Sequence, residues 1–187
     1  MFKRRMFRPR GRGLGPAIHP MLQRANELMA IGDFTGAANA FEDLAKRANS
    51  RNGPAAPHLY IQAGMAHIQA GQLTNGMVQI QTALKLFAGR GEWLKFKRNR
   101  RRAVEELHKS GMEKEANSLI NFMTEDMPAE LKANEIESQN DPKPVAKARA
   151  TLPTRCEECG APLRFDQVDW VDENTAECPY CGNIMHS

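Results

Sequence analysis

The chain has 187 residues, a formal net charge of +4, 26% charged and 41% hydrophobic residues, which is typical of one ordinary domain plus a small second unit. It contains no run of about 18 apolar residues, so we expect no membrane-spanning helix. The basic opening MFKRRMFRPRGRG lacks the apolar stretch of a secretory signal. We therefore expect a cytoplasmic protein, with an organelle transit peptide as the alternative reading of this opening.

The net charge conceals a strong asymmetry between the two ends of the chain. Residues 151–187 contain two basic and seven acidic residues, a net charge of −5, which leaves +9 for the rest. Residues 1–16 are predicted to form a basic, flexible N-terminal arm. Such an arm suits RNA, an anionic lipid or an acidic protein. Its candidate residues for binding an anionic partner are Arg4, Arg5 and Arg8.

Three segments after the arm share a pattern, which predicts a repeat architecture. They align on a glycine that recurs at intervals of 39 and 40 residues. Five residues after each glycine comes a small residue, and nine after it comes a large apolar one. The glycines are Gly32, Gly71 and Gly111, the small residues are Ala37, Gly76 and Ala116, and the large ones are Phe41, Ile80 and Ile120.

Each repeat is predicted to be a helix, a tight turn at the glycine and a second, antiparallel helix. Glycine suits the positive-φ position that ends a helix. The small residue lets the two backbones approach, and the large residue fills the gap between them. We therefore predict a mainly α fold, an antiparallel helix-pair solenoid of about six helices over residues 17–127. An irregular helical bundle is the alternative.

This pattern resembles the tetratricopeptide repeat, which implies a surface for binding a protein or peptide and no catalytic group of its own. The period of 39 to 40 residues exceeds the family's period of about 34, so longer loops are expected. The third copy also has Arg100 where the family has a large aromatic residue. The matching residues are Ala25, Gly32, Phe34, Ala37 and Phe41, then Tyr60, Gly64, Gly71 and Ala83.

A second basic cluster lies within residues 95–102. On a helix, five of its cations fall in one arc of about 160°, opposite a set of apolar residues. The arc is either a solvated face or a surface for phosphates or an acidic partner, and the acidic end of the same chain is a further candidate to dock on it. Arg100 falls on the apolar side, so its stem is expected to pack while its head reaches outward. The five cations are Lys95, Lys97, Arg98, Arg101 and Arg102.

Residues 128–153 are rich in proline and lack apolar periodicity, so they are predicted to form a linker, with room for a short helix at 129–138. The segment after it, 154–187, holds all four cysteines in two Cys-x2-Cys pairs separated by eighteen residues. This spacing is typical of a four-thiolate zinc site. A glycine follows each pair, and apolar residues between the pairs indicate two short strands. The cysteines are Cys156, Cys159, Cys178 and Cys181.

The knuckles CEECG and CPYCG resemble those of a zinc ribbon, which implies one structural Zn²⁺ and a small β domain. Rubredoxin shares these knuckles and binds iron, and disulfides are a further alternative that a reducing compartment disfavours. Four cysteines would close the coordination sphere, whereas a catalytic zinc keeps an open position. His186 lies near the last cysteine and is expected to be solvated.

No catalytic constellation emerges from the sequence, and we expect no enzymatic activity. The favoured hypothesis is a non-enzymatic adaptor that binds protein or peptide partners through helical repeats and a structural zinc ribbon. The alternative is a nucleic-acid-associated accessory protein that uses the basic arm and the basic helix 95–102.

Overall fold

A computed structural model describes residues 19–129, 152–164, 168–170 and 174–186. The predicted arm and nearly all of the predicted linker, including its short helix, lie outside these residues. Six helices fill the first range, and each packs against the next in chain order, as expected for a helix-pair solenoid. They are α1 (His19–Ala30), α2 (Phe34–Asn49), α3 (Ala56–Gln69), α4 (Leu73–Gly89), α5 (Trp93–Lys109) and α6 (Glu113–Asn121).

Each of the five turns between helices contains one residue with positive φ. Four are glycines, as predicted for three of them, and one is Asn52 with φ 51°. At Gly32, the amide donates to the carbonyl of Met29, and the next amide, of Asp33, donates to Leu28. The other four turns repeat this Schellman pattern, which satisfies the last carbonyls of each helix. The turn residues are Gly32, Asn52, Gly71, Gly91 and Gly111, spaced by 20, 19, 20 and 20 residues.

The structural unit that repeats is therefore one helix and its turn, about 20 residues long. Two such units account for the intervals of 39 and 40 residues between Gly32, Gly71 and Gly111. Because each helix ends in the same tight turn, the chain reverses at regular distances. Four of the five loops have three residues, and the loop between α2 and α3 has six. The longer period comes mainly from long helices, with 16 residues in α2 and 17 in α4, and of the two loops between pairs only the first is longer, as predicted.

The second helix pair shows why small residues recur at the crossing. A Cβ atom added to Gly64 would lie 2.6 Å from Ile80 Cγ1 and 2.9 Å from the carbonyl oxygen of Gly76. A Cβ atom added to Gly76 would lie 2.8 Å from the carbonyl oxygen of Gly64. The backbones of α3 and α4 thus touch at this point, and only glycine fits on either side. In the first pair, Ala25 and Ala37 are fully buried.

The third pair departs from the pattern in two respects. Leu119 is fully buried, whereas Ile120, the predicted gap filler, is 42% exposed. The predicted outward reach of the Arg100 head is also wrong, because only 6% of that residue is exposed. Its Nη1 donates to the carbonyl oxygens of Ile120 (3.0 Å) and Phe122 (3.3 Å) at the end of α6. A short last helix leaves carbonyls without intrahelical partners, and the buried guanidinium satisfies them.

The cysteine segment forms a three-stranded antiparallel sheet in the order β1, β2, β3. The strands are β1 (Asp169–Trp170), β2 (Thr175–Glu177) and β3 (Ile184–His186). Two strands were expected from the sequence, and the third follows the second cysteine pair. It was missed because Ile184–His186 is short and lacks turn signals after it. None of the helices in the described ranges has the length and apolarity needed to cross a membrane.

Candidate metal centre

The two cysteine pairs occupy matching loops, which we call knuckle 1 (156–161) and knuckle 2 (178–183). In knuckle 1 the amide of Cys156 donates to Ala161 (2.9 Å), and the amide of Gly160 donates back to Cys156 (2.8 Å). In knuckle 2 the amides of Cys178 and Gly182 make the equivalent bonds, at 2.8 and 2.9 Å. Both glycines have positive φ, 69° and 73°. The sequence CxxCG therefore closes a loop that turns its two sulfurs the same way.

All four cysteines are buried, and their Sγ atoms lie within 4.8 Å of one another. The Sγ atoms of Cys156 and Cys181 are 3.7 Å apart, and those of Cys159 and Cys178 are 3.8 Å apart. A disulfide needs about 2.05 Å, so the thiols are free. Four sulfurs at the usual Zn–S distance of 2.3 Å in a tetrahedron would lie about 3.8 Å apart. The cluster therefore fits a tetrahedral metal ion held by both knuckles.

The electrostatics of the cluster point the same way. Hydrogen bonds from Cys159, Cys178 and Cys181 lower the pKa of Cys156 far below its ordinary value. The pKa of Cys181 is raised far above its ordinary value, with the Cys156 hydrogen bond as the main cause. The neighbouring thiols thus stabilise the thiolate of Cys156, whereas they favour the protonated form of Cys181. A cation is needed for all four groups to be deprotonated together, because only a positive charge offsets their repulsion.

Both knuckles lie against the helices at their glycines. The side chain of Asn26, on α1, donates to the carbonyl oxygen of Cys159 at 2.8 Å. A Cβ atom added to Gly160 would lie 3.1 Å from Gln23 Cγ, also on α1. A Cβ atom on Gly182 would lie 2.7 Å from the His58 ring on α3. The glycines are therefore required by φ and also by close contact with the helical array.

We call the cysteine segment, residues 152–186, the ribbon. Glu177, directly before knuckle 2, carries a charged contact between the ribbon and the helices. Only 5% of its side chain is exposed, and its Oε1 lies 2.9 Å from Lys95 Nζ and 3.3 Å from His58 Nε2. Burial acts to raise the pKa of Glu177, but His58 and Lys95 outweigh it and lower that pKa to about 2. The carboxylate is thus ionised and held between α3 and α5.

The structure separates the predicted cations of α5. Lys95 faces the ribbon through Glu177. Burial raises the pKa of Tyr180 in knuckle 2, and the charge of Arg102 acts in the opposite direction. Arg101 is exposed, whereas Lys97, Arg98 and Arg102 are half-buried. Of the five cations, Lys95 is thus engaged by the acidic ribbon, and an anionic partner for the others stays a prediction. The arm candidates Arg4, Arg5 and Arg8 lie outside the described residues.

His186 and three other ring side chains differ in how far they are buried. His186 is exposed in β3, and its Nδ1 lies 3.4 Å from Thr175 Oγ1. Trp170 and Tyr180 are half-buried against the core. His67 is buried between α2 and the next turn, with Gln72 Oε1 at 2.7 Å and Glu42 Oε2 at 3.1 Å.

Sequence reasoning missed Asn26, His58 and Glu177 as residues that join the two parts of the molecule. Asn26 and His58 stand on separate helices far from the cysteines in sequence, so no local spacing could mark them. Glu177 was counted only as one of several acidic residues. Its place directly before Cys178, at a position of β2 that faces inward, is the signal that could have singled it out.

The fold and the site together define a mainly helical protein with a four-cysteine cluster that could hold a metal ion. Comparison of the chain with protein-family models, with curated proteins and with solved structures found no match. The tetratricopeptide-like and zinc-ribbon resemblances therefore rest on the residues and the geometry alone.

Proposed function

We propose that this chain is a non-enzymatic adaptor in which Zn²⁺, bound by Cys156, Cys159, Cys178 and Cys181, has a structural role. The observation that carries the metal assignment is the sulfur tetrahedron, with separations of 3.7 and 3.8 Å. Four thiolates fill the coordination sphere of zinc, which suits a structural site and leaves no position for a substrate. Four cysteines without a disulfide suit a reducing compartment, and we propose the cytoplasm.

The adaptor role is supported by the way the two parts of the chain meet. Repeats of this type bind partners through the surface that successive helices build together. Here the ribbon contacts α1, α3 and α5 through Asn26, His58 and Lys95. A protein or peptide partner would therefore meet a helical surface to which the ribbon also binds. Leu94, which is 68% exposed on α5 and directly precedes Lys95, offers this partner an apolar contact.

The metal assignment is tested first, by measuring the metal content of the purified chain and the absorption spectrum after exchange with Co²⁺. One zinc per chain and a tetrahedral thiolate spectrum are the expected results. Bound iron would instead favour the rubredoxin-like alternative. A chain with a full set of free thiols and no affinity for either ion would contradict the assignment.

The adaptor role is tested by partner capture with the full chain, both zinc-loaded and treated with a chelator, followed by crosslinking that maps the contact. We expect a defined partner that crosslinks to the helices, and we expect Leu94→Glu to reduce its capture by removing an exposed apolar contact. Arg51→Glu, a charge change in the exposed turn after α2, is the control. Capture that survives Leu94→Glu and maps outside the helices and ribbon would contradict the proposal.

A second candidate function is binding of nucleic acid by the basic arm and by Lys97, Arg98 and Arg101. It is favoured by the exposure of Arg101 on a helix side distinct from the contact with Glu177. Binding to RNA and DNA oligonucleotides at about 50 and 200 mM salt tests it, since phosphate contacts weaken steeply with salt. Arg98→Ala with Arg101→Ala should abolish such binding. No binding at the lower salt would leave the adaptor alone.

A further inference from the structure

The ribbon touches the first helix of every pair. Knuckle 1 meets Gln23 and Asn26 of α1, and knuckle 2 meets His58 of α3. Glu177 extends the contact to Lys95 of α5. We call these four helical residues, Gln23, Asn26, His58 and Lys95, the docking face. Because α1, α3 and α5 open the successive pairs, the docking face runs along one side of the array.

The burial of α3 shows what the ribbon covers. Within this helix only Gln62, Met65 and Gln69 are not buried. A helix that is buried nearly all round needs cover on each side. The neighbours α2 and α4 pack against α3 along the array, and the ribbon lies over His58. Without the ribbon, α3 would lose this cover at His58.

The chemistry of the docking face is that of a carboxylate receptor. His58 Nε2 and Lys95 Nζ converge on one carboxylate oxygen, and the amide of Asn26 donates to a backbone carbonyl. These close approaches of His58 and Lys95 to Glu177 are ion pairs, and four atoms here are buried without a hydrogen-bond partner among the described residues: His58 Nδ1 and Nε2, Glu92 Oε2 and Glu177 Oε1. A contact that is polar and incompletely satisfied resembles interfaces between parts that separate, more than a fully matched core.

We propose that the docking face is the partner-binding surface of the helices and that the metal-loaded ribbon is its resident intramolecular ligand. Binding of the metal by the four cysteines holds the knuckle loops in the conformation that contacts the docking face. The docking face is therefore covered when the metal is bound. Loss of the metal bares the face for an acidic segment of a partner, whose carboxylate takes the place of Glu177. This inference rests on the adaptor function and names the regulation of the same surface.

Hydrogen exchange of the full chain tests whether the metal-loaded ribbon covers the docking face. Four samples are compared: the zinc-loaded chain, the chain treated with a chelator, zinc-loaded Glu177→Gln and zinc-loaded Glu158→Gln. The last removes the same charge from knuckle 1 and is the matched control. We expect chelation to speed exchange in α3 by at least about tenfold, as for a segment that loses its cover, while α2 changes little. Glu177→Gln should speed hydrogen exchange in α3 although one zinc is still bound, and Glu158→Gln should leave that exchange unchanged.

Exchange in α3 that is the same with and without metal would overturn the proposal. So would an effect of Glu158→Gln as large as that of Glu177→Gln, because the contact of Glu177 with His58 and Lys95 would then have no special role. Because Glu177→Gln keeps all four cysteines, the test remains decisive even if removal of the metal also unfolds parts of the helices.

Peptide binding tests the receptor chemistry. The probe is a fluorescent peptide that copies residues 174–182 with serine at both cysteine positions, and its control carries Glu177→Gln. We expect the probe to bind the chelated chain at least about tenfold more tightly than the loaded chain, because covered chains do not compete for it. The control peptide should bind more weakly. Equal binding to both forms, or binding to neither, would overturn the proposal.

The two proposals fail in distinguishable ways. If the loaded chain captures its partner as well as the chelated chain does, metal control of the face is wrong and the adaptor function stands. If the probe shows the expected dependence on metal but no partner is captured by either form, the adaptor function is wrong and the docking face stands.

Discussion

The helices bury large apolar side chains throughout their array, among them Phe41, Phe87 and Phe96, whereas the described residues of the ribbon bury few, chiefly Val168 and Met185 beside the cysteines. Hydrophobic burial is enough to order a regular set of helices, since each adds apolar surface to its neighbours. A unit as small as the ribbon cannot build such a core, and we expect it to depend on a metal held by its four cysteines. We therefore expect different interactions to stabilise the helices and the ribbon, and different treatments to unfold them.

The largest expected effect is the loss of the metal. Chelation or Cys178→Ser removes binding free energy on the order of 10–16 kcal/mol, far more than a ribbon of this size can replace. We expect rapid proteolysis within residues 152–186 while far-UV circular dichroism retains most of the helical signal. A ribbon that resists protease without metal would show that its few apolar contacts suffice and would remove the distinction drawn between the regions.

The next effect sharpens the account of the helices. Gly64→Ala should lower the free energy of unfolding by about 3 kcal/mol, because the new Cβ meets the backbone of α4 and overpacked cores relax poorly. Gly89→Ala is the matched control, since nothing lies within 4 Å of its Cβ position. It should stabilise α4 by up to about 1 kcal/mol. Urea unfolding of both variants measures this, and equal effects would refute the close crossing of α3 and α4.

A third effect concerns the buried guanidinium of Arg100 in the core of the helices. Arg100→Met should lower the free energy of unfolding by about 1–3 kcal/mol, because the carbonyl oxygens of Ile120 and Phe122 lose a buried donor. Arg101→Met, the neighbouring exposed residue, should change it by about 0.5 kcal/mol or less. Thermal unfolding compares the two. A larger loss for Arg101 than for Arg100 would contradict the buried position of the Arg100 guanidinium.

The smallest effect is a dependence on pH within the helices. The pKa of Glu42 is lowered from 4.5, chiefly by its hydrogen bond with Lys46. The folded state therefore binds this proton less readily than the unfolded state, so the contribution is present above pH 4.5 and is lost as the pH falls through the lowered pKa. Because Lys46 is well exposed to solvent, which screens the pair, the effect should be small.

Urea unfolding of the wild type and of Glu42→Gln, near neutral pH and again near pH 3, checks this sign. The stability difference between the two proteins should shrink at the lower pH. Any effect of acid on the ribbon is common to both proteins and cancels in the difference. A difference that grows in acid would mean that Glu42 is destabilising when ionised.

Much of the architecture follows from local patterns in the chain. Gly32, Gly71 and Gly111 were predicted to end helices because positive φ is strongly disfavoured for other residues, and all three do so. The four cysteines were predicted to converge because Cys-x2-Cys loops place two sulfurs together, and they do. The third strand and the position of Leu119 in place of Ile120 were not predicted, since a short strand and a one-residue shift leave almost no local signal.

The sequence by itself determined where the helices end and which four side chains meet at the candidate metal centre, because backbone sterics and short-range ligand spacing act within a few residues. Only the tertiary structure decided that Lys95 faces Glu177, that the Arg100 guanidinium is buried and that Asn26 and His58 receive the ribbon. Lys95, His58 and Asn26 meet partners more than eighty residues away in the chain, and Arg100 meets the end of α6 about twenty residues away. Long-range packing and charge pairing set these contacts, and no local pattern encodes them.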